Sequence, residues 1–390
     1  MNQGKYVFSQ IVTFLPARIF DRCVNTFNAD KWIKHFTCWN QLLCMMFGQL
    51  SNRDSLRDLL VCINAHKSKH YHLGFGKSIS RSNLAEANEK RNCKVFEMFA
   101  YEMIAEAQKS CISDSDFNLS IDGNVYALDT TIIDLCLNVF WWATYRKAKA
   151  AVKVHTLLDV KTSIPVFIYI TPASVHDVHG LDELTYETGG YYIMDRGYTD
   201  FGRLANIDKH DAFFVTRARN NMRFTRISSA KIDRSKGIIC DQQIMFKGFY
   251  SSQAYDKALR RVKFYDADQK RTFVFLSNNM TLPAIEIAML YKYRWKIELF
   301  FKWIKQHLKI KSFWGTSANA VKTQIYIAII TYTLVIIIKG KLKLKQSPYE
   351  ILQIMSVSLM DKTLLPLLFK SLLYQDVKEQ NHIQLEINLI

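Results

Sequence analysis

Three carboxylates stand where a chain can put them to chemical use. Asp129 follows the apolar run Val125-Tyr126-Ala127-Leu128, and Asp195 follows Tyr191-Tyr192-Ile193-Met194 and precedes Arg196-Gly197-Tyr198. Both read as aspartates leaving the ends of β-type runs, at a sheet edge where ligands are met. Glu298 closes the stretch Tyr291-Lys292-Tyr293-Arg294-Trp295-Lys296-Ile297-Glu298, which reads as part of a helix running from near Thr281 toward Leu308, with Pro283 in its first turn. At about 100° per residue, Tyr291, Arg294, Glu298 and Lys305 share one narrow stripe. Ile297, Phe300, Phe301, Trp303 and Ile304 around them are apolar, so part of this helix must be buried. A plain solvated stripe with an Arg294–Glu298 ion pair accounts for the spacing too, at a few tenths of a kcal/mol. A functional stripe accounts for more. Three carboxylates suffice for two magnesium ions about 3.5–4 Å apart, one activating an attacking water or 3′-hydroxyl and the other stabilising the leaving oxygen. Manganese is expected to substitute. Arg294, Lys305 and the Tyr291 hydroxyl would meet phosphate oxygens beside them. Asp134, Asp159 and Asp177 are reserve candidates, more simply read as two strand-end polar residues and a helix cap.

Charge points to the partner. The 390 residues carry 52 Lys and Arg against 35 Asp and Glu, a net +17, and such a surplus favours polyanions through counterion release. Double-stranded DNA leads a membrane: the longest strongly apolar run, Ile325 to Ile338, is shorter than a span, no N-terminal signal stretch is visible, and the run reads as a buried helix. With 49% hydrophobic and 22% charged residues the chain can build a large interior. Cys23, Cys38, Cys44, Cys62, Cys93, Cys111, Cys136 and Cys240 form no C-x-x-C pair, which argues against a zinc ribbon and suits a reducing cytoplasm. His70-Tyr71-His72 has nothing nearby to complete a metal site.

The elements that must position the carboxylates follow from the patterning. Residues 1–120 read as a helical domain, with apolar spacing at Phe8, Ile11, Val12 and Leu15 and a helix capped at Ser82. From Asn124 the pattern changes to short β-type runs, at Val152 to Val160, Val166 to Ile170 and Tyr191 to Met194. Helical stretches near Leu181 to Tyr186 and Phe201 to Ile207 alternate with the later ones, so residues 121–216 read as the first part of an α/β layered core. Arg217 to Lys263 holds twelve Lys or Arg and three acidic residues, +9 of the total. Its β-type runs make residues 217–278 a basic, β-rich insertion, with Arg260, Arg261 and Lys263 as DNA contacts. Residues 279–338 return to the core with the Glu298 helix, and residues 339–390 read as a helical tail.

These residues resemble the DDE transposases of bacterial insertion sequences, specifically the family numbered four. Its signature of tyrosine, two residues, arginine, three residues, glutamate, six residues and lysine is met by Tyr291, Arg294, Glu298 and Lys305. Leu128-Asp129-Thr130-Thr131, Trp142-Ala143 with Tyr145-Arg146, Lys153-Val154-His155, His176-Asp177 and Asp195-Arg196-Gly197-Tyr198 are similar to the same family. The resemblance implies a ribonuclease-H-like catalytic core with Asp129, Asp195 and Glu298 as its acidic triad, interrupted between the second and third acids by a β-rich insertion. It also implies that the helical N-terminal domain recognises terminal inverted repeats. The implied route is cut-and-paste: a 3′-hydroxyl attacks the opposite strand to form a hairpin, later reopened by water. Joining two element ends calls for a dimer on DNA. Two other readings remain: a metal-dependent nuclease with the same triad and no strand transfer, and a transposase-derived DNA-binding protein that has lost catalysis. The three intact acids disfavour the second.

Overall fold

The computed structural model describes residues 4–76, 79–110, 117–146 and 149–370, so Cys111 and the tail beyond 370 lie outside the described residues. The chain divides into two compact units, residues 1–111 with 304–390, and residues 112–303. The first begins with α1 (Val7–Val12), α2 (Ala17–Thr26), α3 (Cys38–Leu50), α4 (Leu56–Ala65), α5 (His70–Leu73), α6 (Arg81–Lys90) and α7 (Lys94–Ser110). The α3 helix starts where Thr37 and Asn40 cap each other, satisfying donors that a helix start leaves free. The α6 helix is capped by Ser80, whose hydroxyl accepts from Asn83 N at 3.1 Å, and not by Ser82, which lies inside the first turn. Two candidate serines two residues apart cannot be separated by type alone.

The second unit is mixed α/β. Its strands are β1 (Val125–Leu135), β2 (Thr144–Arg146), β3 (Lys149–Asp159), β4 (Ile164–Pro172) and β5 (Tyr191–Met194); then, after α8 (Phe201–Lys209), β6 (Phe213–Arg217), β7 (Phe224–Ser229) and β8 (Ile238–Phe246); and, after α9 (Phe249–Ala254), β9 (Leu259–Asp266) and β10 (Arg271–Ser277). Among the described residues ten strands join one sheet in the order β2-β3-β1-β5-β6-β10-β9-β8-β7, with β4 also paired to β3. Only β1–β5 and β5–β6 are parallel. Those buried strands are nearly continuous apolar runs, as parallel strands covered on both faces must be. The basic segment after Arg217 does not form a sheet of its own, because β10 pairs with β6 and carries the same sheet outward through β9, β8 and β7.

Two sequence expectations are corrected here. The first strand does not end before Asp129 but continues to Leu135, because β3 supplies an antiparallel partner along its whole length. The single helix expected from Thr281 to Leu308 is two, α10 (Ala284–Lys292), with Pro283 at its N-cap, and α11 (Trp295–His307). Between them Tyr293, Arg294, Lys296 and Ile297 donate backbone bonds three residues back, to Leu290, Tyr291, Tyr293 and Arg294. The chain there tightens to the three-residue turn of a 3₁₀ helix.

The helical unit is completed by α12 (Ala318–Lys341) and α13 (Pro348–Ser358), the latter opened by a Ser347–Glu350 capping box. The apolar run at Ile325 is thus part of a 24-residue helix, long and apolar enough by composition to cross a membrane. It is instead buried among α7, α3 and α13 of its own unit, as the core of that bundle.

Candidate active site

The parallel pairing of β1 and β5 ends at Leu128 opposite Met194. Asp129 is the next residue of β1 and Asp195 the first beyond β5, so the two aspartates leave the pairing abreast. Neighbouring strands lie about 4.8 Å apart, which brings the two carboxylates into one field. The third acid arrives from the α10–α11 turn. Arg294 Nη1 donates to Asp129 Oδ2 at 3.1 Å, and Arg294 Nη2 donates to Glu298 one helical turn on. Tyr291 donates its hydroxyl to Asp195 Oδ1 at 3.0 Å, and Arg217 Nη1 stands 3.7 Å from the same oxygen. The 3₁₀ turn explains why Tyr291 and Arg294 cooperate although the helix is interrupted: residues three apart eclipse in such a turn, and the guanidinium lies 5.7 Å from the Tyr291 ring. The tyrosine ring is fixed from behind by Phe275, 4.8 Å away.

The electrostatics follow from burial. Desolvation pushes the Asp129 carboxyl up to about 6, against the pull of the Thr130 amide and Arg294, and the charges of Glu298 and Asp195 push in the same direction as burial. Desolvation also raises the Tyr291 hydroxyl to about 12, so it stays a donor at neutral pH. The donor set of three carboxylates suits a hard divalent cation. The hydroxyl of Thr156, the register partner of Asp129, is buried with no hydrogen-bond partner among the described residues. As they stand, no three His, Cys, Asp or Glu side chains among the described residues are gathered tightly enough to hold an ion. A guanidinium, that of Arg294, bridges Asp129 and Glu298 instead.

Behind the carboxylates lies a second set of groups that sequence reading missed as a site. Side chains alternate across a strand, so Thr130 points to the opposite face from Asp129. Its hydroxyl is 2.9 Å from His155 Nδ1 and 2.6 Å from the Tyr198 hydroxyl, while His155 Nε2 is 2.9 Å from Thr171 Oγ1. His155 is fully buried, and desolvation lowers its pKa to about 4, so the ring is neutral and each nitrogen has a hydroxyl for a partner. Gly180 packs on this ring so closely that a Cβ there would stand 3.0 Å from Nδ1. Lys153 donates to Val175 O at 2.7 Å and pairs with Asp177 at 2.9 Å, which holds the His176–Gly180 turn over the imidazole. The signal was present in the sequence as Thr130, His155 and Tyr198, but only the strand register of Thr130 with His155 and the folding back of Tyr198 bring them together.

The remaining expected residues separate. Arg196 is exposed beside an open cleft of about 470 Å³ shared with His176 and Arg219. Lys305 lies further along the same helix as Glu298, α11. Arg260 is corrected: its guanidinium is buried in a bidentate pair with Asp241, at 2.9 and 2.8 Å, and caps carbonyls of Leu282 and Asn279. A side chain so committed cannot reach a phosphate. Arg261 and Lys263 occupy the other, more open face of β9, with Arg261 stacked 5.2 Å from Phe224 and bonded to Gln242. The reserve aspartates have other work: Asp134 is exposed farther along β1, Asp159 accepts from Lys161 N and Thr162 in a turn, and Asp177 pairs with Lys153.

Comparison with known proteins gives this geometry a setting. The family described as "Transposase DDE domain" matches residues 121–334, and a "Domain of unknown function (DUF4372)" matches residues 3–76. The chain is 34% identical over 256 residues to y4zB of Sinorhizobium fredii, assigned as a transposase, covering 64% of this chain and 69% of that one. It is 30% identical over 213 residues to the transposase assigned to insertion sequence element IS5377 of Geobacillus stearothermophilus, covering 53% and 54%. Over 267 residues it is 26% identical to the transposase assigned to element IS4SA of Synechocystis, covering 66% and 71%. A domain match over more than half of the chain, joined to a relative 34% identical of which the chain covers 69%, makes this protein a member of the insertion-sequence DDE transposases, enzymes that work on DNA with divalent metal ions.

Proposed function

We propose that this transposase moves its element by cut-and-paste, with Asp129, Asp195 and Glu298 as the acidic triad and magnesium, or manganese in its place, as the ion they hold. The single observation that carries the assignment is the registry of Leu128 with Met194, which leaves the two aspartates abreast and within reach of the Tyr291–Arg294–Glu298 turn. The metal, when bound, supplies a Lewis acid that activates water or a 3′-hydroxyl and neutralises charge on the leaving oxygen. In the first step water forms a bond to phosphorus and the P–O3′ bond breaks, leaving a 3′-hydroxyl; in the second that hydroxyl forms a bond to a target phosphorus and displaces the target's 3′-oxygen. Tyr291 keeps its proton at neutral pH and orients Asp195. Arg294, which bridges Asp129 and Glu298, holds the two acids together until the ion takes its place.

The spacing of Tyr291, Arg294, Glu298 and Lys305 supports membership of the fourth insertion-sequence family. Three antiparallel strands followed by two parallel ones, β4-β3-β1-β5-β6, support a ribonuclease-H-like core. Arg196, Arg261 and Lys263 are the DNA contacts of this unit, and the helical residues 1–120 hold the terminal repeats. Two copies join two ends in the cytoplasm, on the nucleoid. The test is incubation of the purified chain with a duplex of its own terminal repeats and magnesium, followed on a denaturing gel. The proposal expects cleavage at the element's end and joining of its 3′-hydroxyl to a second duplex, both lost in Asp129→Asn. Cleavage without joining would favour a plain nuclease.

A further inference from the structure

The α2–α3 connection carries a side chain that folding does not explain. Trp32 is 88% exposed, and its backbone has φ of 66°, the left-handed region that bulky L residues avoid. The loop around it is not slack. Asp30 accepts from Cys38 N with both carboxylate oxygens, at 2.8 and 3.1 Å, which ties the loop to the start of α3. Ala29 N bonds Val24 O at 3.1 Å and Ile33 N bonds Asp30 O at 3.0 Å. At the far end Arg91 donates to the Phe36 carbonyl, stacks 5.3 Å from its ring, and is itself held by Gln41 at 3.1 Å. A braced loop therefore holds a large apolar ring outward in a strained conformation, and such strain persists where the surroundings over-determine it, commonly at binding sites.

The chemistry of the neighbourhood selects the partner. From Lys31 to Phe36 the loop bears Lys31, Lys34 and His35 and no carboxylate. Lys31 sits 5.7 Å from the Trp32 ring, and Ile33 is also exposed. Trp32, Ile33 and Lys34 form one wall of a cleft of about 430 Å³ whose other wall is α6, with Asn83 and Lys90. The acid that lines this cleft, Glu86, is paired with Lys90 at 2.6 Å, and Asp30, next to Lys31, is held by Cys38 N. A protruding aromatic and aliphatic pair flanked by lysines matches a nucleic-acid duplex, where cations meet phosphates and an apolar wedge enters a groove or stacks on an unpaired base. We infer that the Lys31–Phe36 loop is a DNA-binding element, with Trp32 as its wedge, in the segment matched only as a domain of unknown function. This rests on the reading that the N-terminal helices hold the element's ends.

The experiment uses the full chain and a duplex of the terminal repeat. Trp32→Ala is expected to weaken binding about tenfold to a hundredfold, with Trp32→Phe restoring most of it. Trp32→Gly separates contact from fold, because glycine accepts positive φ freely: it should melt no lower than the parent and still bind weakly. Lys31→Ala with Lys34→Ala should flatten the slope of log K against log salt by up to about 1.8 units. Binding within twofold of the parent in both Trp32→Ala and Trp32→Gly would overturn the inference, as would affinity lost only where folding is lost. Asp129→Asn serves as the control for the catalytic reading: it should bind as the parent does and fail to cut, whereas the Trp32 variants should still cut once DNA is raised above their weaker dissociation constants.

Discussion

The two faces of strand β1 do opposite things with neighbouring residues. On one face Asp129 sits among charges, bridged to Glu298 through Arg294 and sharing its field with Asp195. On the other, one residue later, Thr130 joins a dry, neutral chain of hydroxyls around His155. The first face spends stability: burial opposes the charge that Asp129 must carry. The second returns rigidity, since a fully partnered buried network fixes one arrangement. The comparison teaches that the strand which holds a carboxylate among charges is locked from behind, here by hydroxyls gathered around a neutral imidazole.

Four measurements would break or sharpen this contrast. The largest effect belongs to the charged face. Glu298→Gln and Asp129→Asn should each reduce end cleavage by more than about a hundredfold, beyond the 10–100-fold typical of outer-shell changes, without lowering the melting temperature. A loss of folding in either would place them with the locked face instead. On the neutral face, His155→Ala should cost about 2–4 kcal/mol in urea unfolding, because it opens a cavity and strands the Thr130 and Thr171 hydroxyls. A cost below about 0.5 kcal/mol would mean that the network does not brace the strand.

The two faces should also respond to pH with opposite sign. Asp129 titrates near 6 when folded, above its ordinary 3.8, so the native state binds that proton more tightly and stability falls as pH rises from about 4 to 6. His155 titrates near 4 when folded, below its ordinary 6.5, so its contribution is present above 6.5 and is lost as pH falls toward 4. Without metal, Asp129→Asn should therefore steepen the rise of stability with pH in that window, and His155→Gln should reverse it. Identical slopes in parent and variants would refute both assignments. The smallest effect is expected from Gly180→Ala, about 1–3 kcal/mol and a modest fall in cleavage, since the added Cβ presses on His155 Nδ1. A neutral result would show that the turn gives way without moving the ring.

Much of this was legible beforehand. Runs ending at Leu128 and Met194, and the Tyr291 to Glu298 spacing, identified the residues that now surround one another, because strand period and motif spacing are local properties. What escaped was whatever depends on a partner far along the chain. Where β1 ends is decided by β3, not by its own residues. The interruption at Tyr293 is invisible in a stretch whose residues all tolerate a helix. Arg260 and Arg261 are the same residue type side by side, and only the face of β9 on which each falls makes one a buried partner of Asp241 and leaves the other at the surface.

The pairing of β1 with β5 has a consequence in time as well as in space. Asp129 and Asp195 can come abreast once residue 195 has left the ribosome, yet Glu298 lies 103 residues further on. At about 5–20 residues per second, a nascent chain spends roughly 5–20 seconds with two aspartates assembled and no glutamate. On the proposed triad, a polypeptide still in synthesis therefore lacks its third acid, and one truncated before α10 never acquires it.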